Sequence, residues 1–207
     1  MKARPILIFV MCGLLVPALA HGQGAAKTGI VKGAITIGGK PAPDAIVSVE
    51  GASQGSETPN LKSKSIMDQR DMKFVPHVLP IRAGTTVQFP NNDKTFHNVF
   101  SASEAKKFDL GLYPSGQGRS VSFDKPGVVK ILCNVHTDME AFIIVKGHPY
   151  FAAADPRGNY RIGELPPGKY RLEVWHPEYG TTTEPFNLVR EGEVLAIDIE
   201  LKTKKGR

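Results

Sequence analysis

Three side chains with metal-binding chemistry fall within the stretch CNVHTDM: the thiol of Cys133, the imidazole of His136 and the thioether of Met139, each three residues from the next. The run around them cannot be a core helix, so a loop must carry them. Thiolate, imidazole and thioether are soft or borderline donors and suit a metal ion of the same character. The competing chemistry is a Cys133 nucleophile with His136 as its base. Against it, both sit on one short loop, with no oxyanion-stabilising element and no third group to orient the histidine.

The rest of the chain makes an unpaired thiol here unusual. The opening MKARPILIFVMCGLLVPALA has basic Lys2 and Arg4, a short apolar run and the small-residue pattern Ala18-Leu19-Ala20, the three parts of a secretory signal over residues 1–20. That run is short and contains Pro17, and no later stretch is apolar for long enough to span a bilayer, so no stable membrane insertion is expected. Cys12 lies inside the signal, away from a lipidation position, which leaves Cys133 as the cysteine of the exported chain. Without a partner in the chain it must be buried, metallated or used. Removing Lys2 and Arg4 lowers the formal charge from +6 to +4. That mild excess, with no dense basic stripe interleaved with aromatics, gives no nucleic-acid footprint.

The elements that must position the donors are strands. Helical periodicity is nearly absent, and short alternating apolar runs recur between Gly, Pro, Asn and Asp, which predicts an all-β protein. In AIVSV, Ala45, Val47 and Val49 share a face; in TTVQF, Val87 and Phe89; in KYRLEV, Tyr170, Leu172 and Val174. In VVKILC, Val129, Ile131 and Cys133 share a face, so the thiol is expected to point inward at a strand end. The polar segment ASQGSETPNLKSKS reads as a linker. The strands of TGIVKGAITIGGKPAPDAIVSVEG are too few to be stable alone. Turns are expected at Asp155-Pro156-Arg157-Gly158 and Pro166-Pro167-Gly168.

Two resemblances follow from these stretches. The opening GKPAPDAIVSVEG and the later DPRGNYRIGELPPGKYRLEV resemble a carboxypeptidase regulatory-like domain, a small transthyretin-like β-sandwich. The first part would be residues 28–52 and the second 148–202. The segment between, 61–146, resembles a cupredoxin, a Greek-key copper-binding sandwich, with amicyanin- or plastocyanin-like spacing. It is carried by MKFVPHVLPIRAGTTVQFPNNDKTFHNVF and SVSFDKPGVVKILCNVHTDMEAFIIV. This resembles a cupredoxin inserted in, or fused to, the other sandwich, and similar fused chains are described as methylamine-utilisation proteins. Alternatively, the N-terminal strands simply add to the central module.

The cupredoxin resemblance implies a ligand set of His97, Cys133, His136 and Met139 for one copper ion cycling between Cu(I) and Cu(II). The donors agree with that: a thiolate and two imidazoles form a trigonal set, and zinc rarely recruits a thioether. The resemblance also implies a hydrogen bond to the thiolate from the backbone around Asn98. Each residue taken singly has a plainer reading: Cys133 as buried filler, Met139 as core, His97 and His136 as hydrogen-bonded or surface histidines. His77 reads as a strand-edge histidine, with a supporting or partner-contact role as its alternative. His148 and His176 read as structural, and Trp175 and Tyr179 as packing at the edge of the outer sandwich. Lys106, Lys107 and Arg119 read as a solvated loop, with a basic docking patch as the alternative.

The function this implies is a one-electron carrier, not an enzyme, periplasmic or secreted, that serves a redox protein partner and binds no nucleic acid. The alternatives are a copper chaperone, disfavoured by having only Met67, Met72 and Met139 after the signal, and a recognition module built on the outer sandwich.

Overall fold

The computed structural model describes residues 28–52 and 63–202. The expected signal 1–20, His21, most of the linker and the first residues of the 61–146 segment lie outside them.

Three strands precede the linker: β1 (Gly29–Ile37), β2 (Lys40–Pro41) and β3 (Ile46–Glu50). The central segment opens with β4 (Lys64–Ile66), β5 (Asp68–Arg70), β6 (Lys73–Val75), β7 (Val78–Arg82) and β8 (Thr85–Pro90). It continues with β9 (His97–Ser103), β10 (Lys106–Tyr113), β11 (Gly118–Phe123), β12 (Gly127–Leu132) and β13 (Glu140–Lys146). The last six are β14 (Phe151–Ala153), β15 (Asn159–Leu165), β16 (Gly168–His176), β17 (Gly180–Leu188), β18 (Val194–Ala196) and β19 (Ile199–Leu201). The protein is all-β, and these strands build two sandwiches.

The outer sandwich draws on both ends of the described chain. One sheet runs β15-β1-β18, with β19 and β2 also on β1; the other runs β14-β3-β16-β17. Val31, Ile35, Val47 and Val49 from the first segment share one core with Leu165, Leu172, Val174 and Leu201 from the last. The turn at Asp155–Gly158 closes as expected, with the Gly158 N–H donating to the Asp155 carbonyl at 2.8 Å. Gly158 has φ 80°, and a Cβ there would stand 2.5 Å from the Ile35 carbonyl oxygen, so only glycine fits.

The central sandwich pairs β10-β9-β12-β13-β7 against β11-β8-β4, with β5 and β6 as a separate hairpin. Its core contains Val87, Phe89, Val99, Phe123, Val129, Ile131 and Ile143. Val129, Ile131 and Cys133 do face inward together.

The two sandwiches meet across β13. Ala141, Ile143 and Val145 point into the central core. Ile144 on the other face packs with Val78 and Ile46, flanked by Phe142 and Trp175. That contact explains a departure from the sequence pattern of β3. Ala45, Val47 and Val49 are buried, but so are Ile46 and Ser48, because both faces of this strand are covered. At the same junction Lys146 Nζ lies 3.0 Å from Glu50 and 2.7 Å from Glu173.

Candidate metal centre

The loop 133–139 joins β12 to β13, and the pairing of Leu132 with Glu140 closes it into a hairpin. Cys133, His136 and Met139 are thereby folded back over the end of the sandwich. Leu132 also pairs with Phe100, which sets β9 beside the loop and brings in His97 at its first position. Register, then, unites donors 36 residues apart in sequence.

Cys133 Sγ lies 3.9 Å from His97 Nδ1 and 3.9 Å from His136 Nδ1, and the two nitrogens are 3.1 Å apart. The point equidistant from these three atoms is about 2.1 Å from each, at the length of a metal–imidazole bond and about 0.2 Å short of a metal–thiolate bond. Among the described residues this is the group of His, Cys and acidic side chains that could hold a metal ion. His97 is fully buried and Cys133 is 5 % exposed, so the thiolate is shielded from solvent while His136 is only partly covered. Met139 is buried in the same core cluster as Cys133, and its N–H donates to the His136 carbonyl at 3.0 Å.

A further residue, overlooked in the sequence, completes the geometry. Asp93 Oδ2 accepts the His97 Nε2 proton at 2.9 Å. A protonated Nε2 leaves the Nδ1 lone pair free to face the thiolate, so the carboxylate selects the metal-binding tautomer. Asp93 is held down to about 2, first by the Met72 N–H and then by His97 and the Lys94 N–H. The sequence signal was an acid four residues before His97, on a loop where a solvated aspartate is equally common.

Residues 61–146 match the family model of copper binding proteins, plastocyanin/azurin family, and residues 140–202 that of the carboxypeptidase regulatory-like domain. Over these two stretches the chain is similar to a cupredoxin followed by a carboxypeptidase regulatory-like domain. Among solved structures, the chain is similar to a purple cupredoxin from Nitrosopumilus maritimus, at 24 % identity over 41 % of this chain and 99 % of that one, with a TM-score of 0.36. It is also similar to a Cu-containing nitrite reductase from Thermus scotoductus, at 26 % identity over 40 % of this chain and 22 % of that one, TM-score 0.37. A reduced amicyanin variant is 21 % identical over 48 % of this chain and 98 % of its own, TM-score 0.38. No curated protein sequence matches.

The metal centre rests on a buried polar lattice. Asn91 Nδ2 donates to the carbonyls of Thr95 (2.9 Å) and Tyr113 (3.2 Å), and its Oδ1 accepts the Asp93 N–H at 3.1 Å. Asn91 thus fixes the loop that delivers His97. Asn98 is buried beside it, but its Nδ2 donates to Asp109 Oδ1 at 2.7 Å, which ties its side chain to β10.

The other histidines among the described residues lie away from the centre. His77 Nδ1 is 2.7 Å from Asp44 of the outer sandwich, and its ring stands edge-on to Phe142, so it bridges the two sandwiches. His148 contacts Glu50 at 3.4 Å, and His176 Nε2 donates to the Pro43 carbonyl at 3.1 Å. Trp175 packs on Phe142 with ring centroids 5.3 Å apart, which places it at the junction of the sandwiches instead of an outer edge. Lys106 and Lys107 belong to β10, not to a loop, and Arg119 on β11 lies over the Tyr113 ring at 5.1 Å. A β-bulge between Asp109 and Leu112 breaks the alternation that would have revealed β10.

Proposed function

We propose that this protein is an exported type 1 copper protein that carries one electron at a time to or from a redox protein partner. The observation that carries this reading is the buried triangle of His97 Nδ1, Cys133 Sγ and His136 Nδ1, with sides of 3.9, 3.9 and 3.1 Å. In this reading Met139, buried in the same core as Cys133, would hold the copper through its thioether. Copper, when bound, supplies a one-electron couple between Cu(II) and Cu(I).

The chain's own residues account for the rest. Val99, Ile131 and Tyr113 are fully buried in the same core cluster as Cys133 and Met139. Asp93 keeps the His97 tautomer. Three of these residues sit on a loop closed by the Leu132–Glu140 pair and the fourth on a strand, so they would hold copper in a cage with little freedom to rearrange, and a small reorganisation would favour fast transfer. His136 is the partly exposed ligand, and Phe96 and Val135, each preceding a ligand histidine, are about half exposed. An electron would enter or leave at that edge. A chaperone would need open, exchangeable donors, whereas Met67 and Met139 are both buried. The signal-like leader supports a periplasmic or secreted location.

A Cu(II) titration of residues 21–207, followed by visible absorption, tests the proposal. An intense thiolate-to-copper band saturating at one copper per chain, and lost in Cys133→Ser, is expected. A band that survives in Cys133→Ser would refute the ligand assignment.

A further inference from the structure

The β5–β6 hairpin forms a two-stranded sheet of its own. Its tip is Asp71 and Met72, with φ of 49° and 55°, the paired positive values of a type I′ turn. Neither is glycine, the residue that adopts positive φ without steric cost. The hairpin is tied to the ligand loop at its base: Asn92 Nδ2 donates to Asp68, and the Asn92 N–H to the Gln69 carbonyl at 3.1 Å. At its tip the Met72 N–H donates to Asp93 Oδ2 at 2.7 Å. The same oxygen accepts from His97 Nε2 at 2.9 Å, and the Asp93 side chain is only 10 % exposed. One shielded carboxylate oxygen therefore takes one proton donor from a surface turn and one from a metal-facing imidazole.

We propose that the β5–β6 hairpin tunes the copper centre through this shared oxygen, with Met72 as a positioning residue acting on His97 through Asp93. The inference rests on His97 being a copper ligand. A donor on Oδ2 drains charge from the carboxylate. Without it Oδ2 accepts more strongly from Nε2–H, the imidazole becomes a better donor at Nδ1, Cu(II) gains over Cu(I), and the potential falls. The Met72 side chain is 57 % exposed, and Phe96 and Val135 are exposed next to the ligand histidines. A redox partner that seats on these side chains touches the turn that supplies the donor, so docking and potential are reciprocally linked.

The test is a redox titration of the copper-loaded full chain and of Met72→Gly, Met72→Pro, Asp93→Asn and the Met72→Pro/Asp93→Asn double variant. Glycine keeps both the N–H and the positive φ; proline has neither. Met72→Gly is expected to match the wild type. Met72→Pro is expected to favour Cu(II) by about tenfold, a drop of about 59 mV for one electron. Asp93→Asn, whose neutral oxygen draws less on Nε2–H, moves the potential upward, and adding Met72→Pro to it changes nothing further. A wild-type potential in Met72→Pro, or the same drop in the Asp93→Asn background, overturns the relay and leaves the copper reading standing. No thiolate-to-copper band in the wild type overturns both.

Since proline could unfold the hairpin, amide exchange of the metal-free chain gives a second measurement. The Met72 amide should exchange about tenfold slower in the wild type than in Asp93→Ala. Equal rates overturn the relay.

Discussion

Tyr113→Phe should weaken the cupredoxin fold without removing its metal centre. Tyr113 is fully buried; its hydroxyl donates to the Phe89 carbonyl at 2.9 Å and accepts from Gln69 Nε2 at 2.6 Å. Burial pushes the phenol up to about 12, so it stays protonated and donating through the neutral range. Removing the hydroxyl deletes two buried hydrogen bonds but leaves Gln69 Nε2 its second acceptor, the Pro90 carbonyl at 2.9 Å. At about 1 kcal/mol per bond, the expected loss is about 2 kcal/mol, close to thirtyfold in the folding constant. Gln69 Oε1 is already buried without a partner, so Gln69→Leu removes one unsatisfied atom along with two bonds and should cost about 1 kcal/mol. In the double variant both sides of the contact are apolar, and the combined loss should fall short of the sum by about 0.5–1 kcal/mol. Urea unfolding of the four metal-free proteins measures this, and the copper band should persist in each. A single loss below about 0.5 kcal/mol, or strict additivity, would refute the account of this network.

Met139→Leu should keep the coloured site and raise its potential, because the thioether that would hold the copper weakly is lost; an unchanged potential would place Met139 away from the metal. A fragment of residues 61–147 should fold and bind copper, since its core is separate from that of the outer sandwich, although with lower stability once Ile144 and Val78 are uncovered. Aggregation with loss of the site would indicate one shared folding unit. Burial alone would raise the Glu50 carboxyl, but the hydrogen bond and charge of Lys146, with Ser48 and His148, hold it below its ordinary value. A depressed carboxylate stabilises the fold above its unfolded value near 4.5, and that contribution is lost as pH falls through the lower folded value. Lys146→Met should therefore cost about 1–2 kcal/mol at pH 7 and flatten the acid limb of a urea-midpoint profile; a limb as steep as the wild type's would count against the Lys146–Glu50 pair.

Much of this protein was legible in one dimension because the relevant signals are local. Alternation along TTVQF and KYRLEV is set by the strand repeat alone, and Val87, Phe89, Leu172 and Val174 are indeed buried. Cys133, His136 and Met139 are covalently confined to one loop, so their spacing already restricts what they can do. The tertiary structure decided whatever depends on register between distant segments. The role of Asp93 requires an N–H from Met72, 21 residues earlier, and its sequence signature is that of any loop aspartate. Ile46 is buried where Ile144 of β13 packs on it, and His77 finds Asp44 only once the sandwiches are joined. Local periodicity and donor type are properties of the chain; the 3.9 and 3.1 Å distances that bring His97 to the thiolate and to His136 come from strand pairing, which no short window of sequence contains.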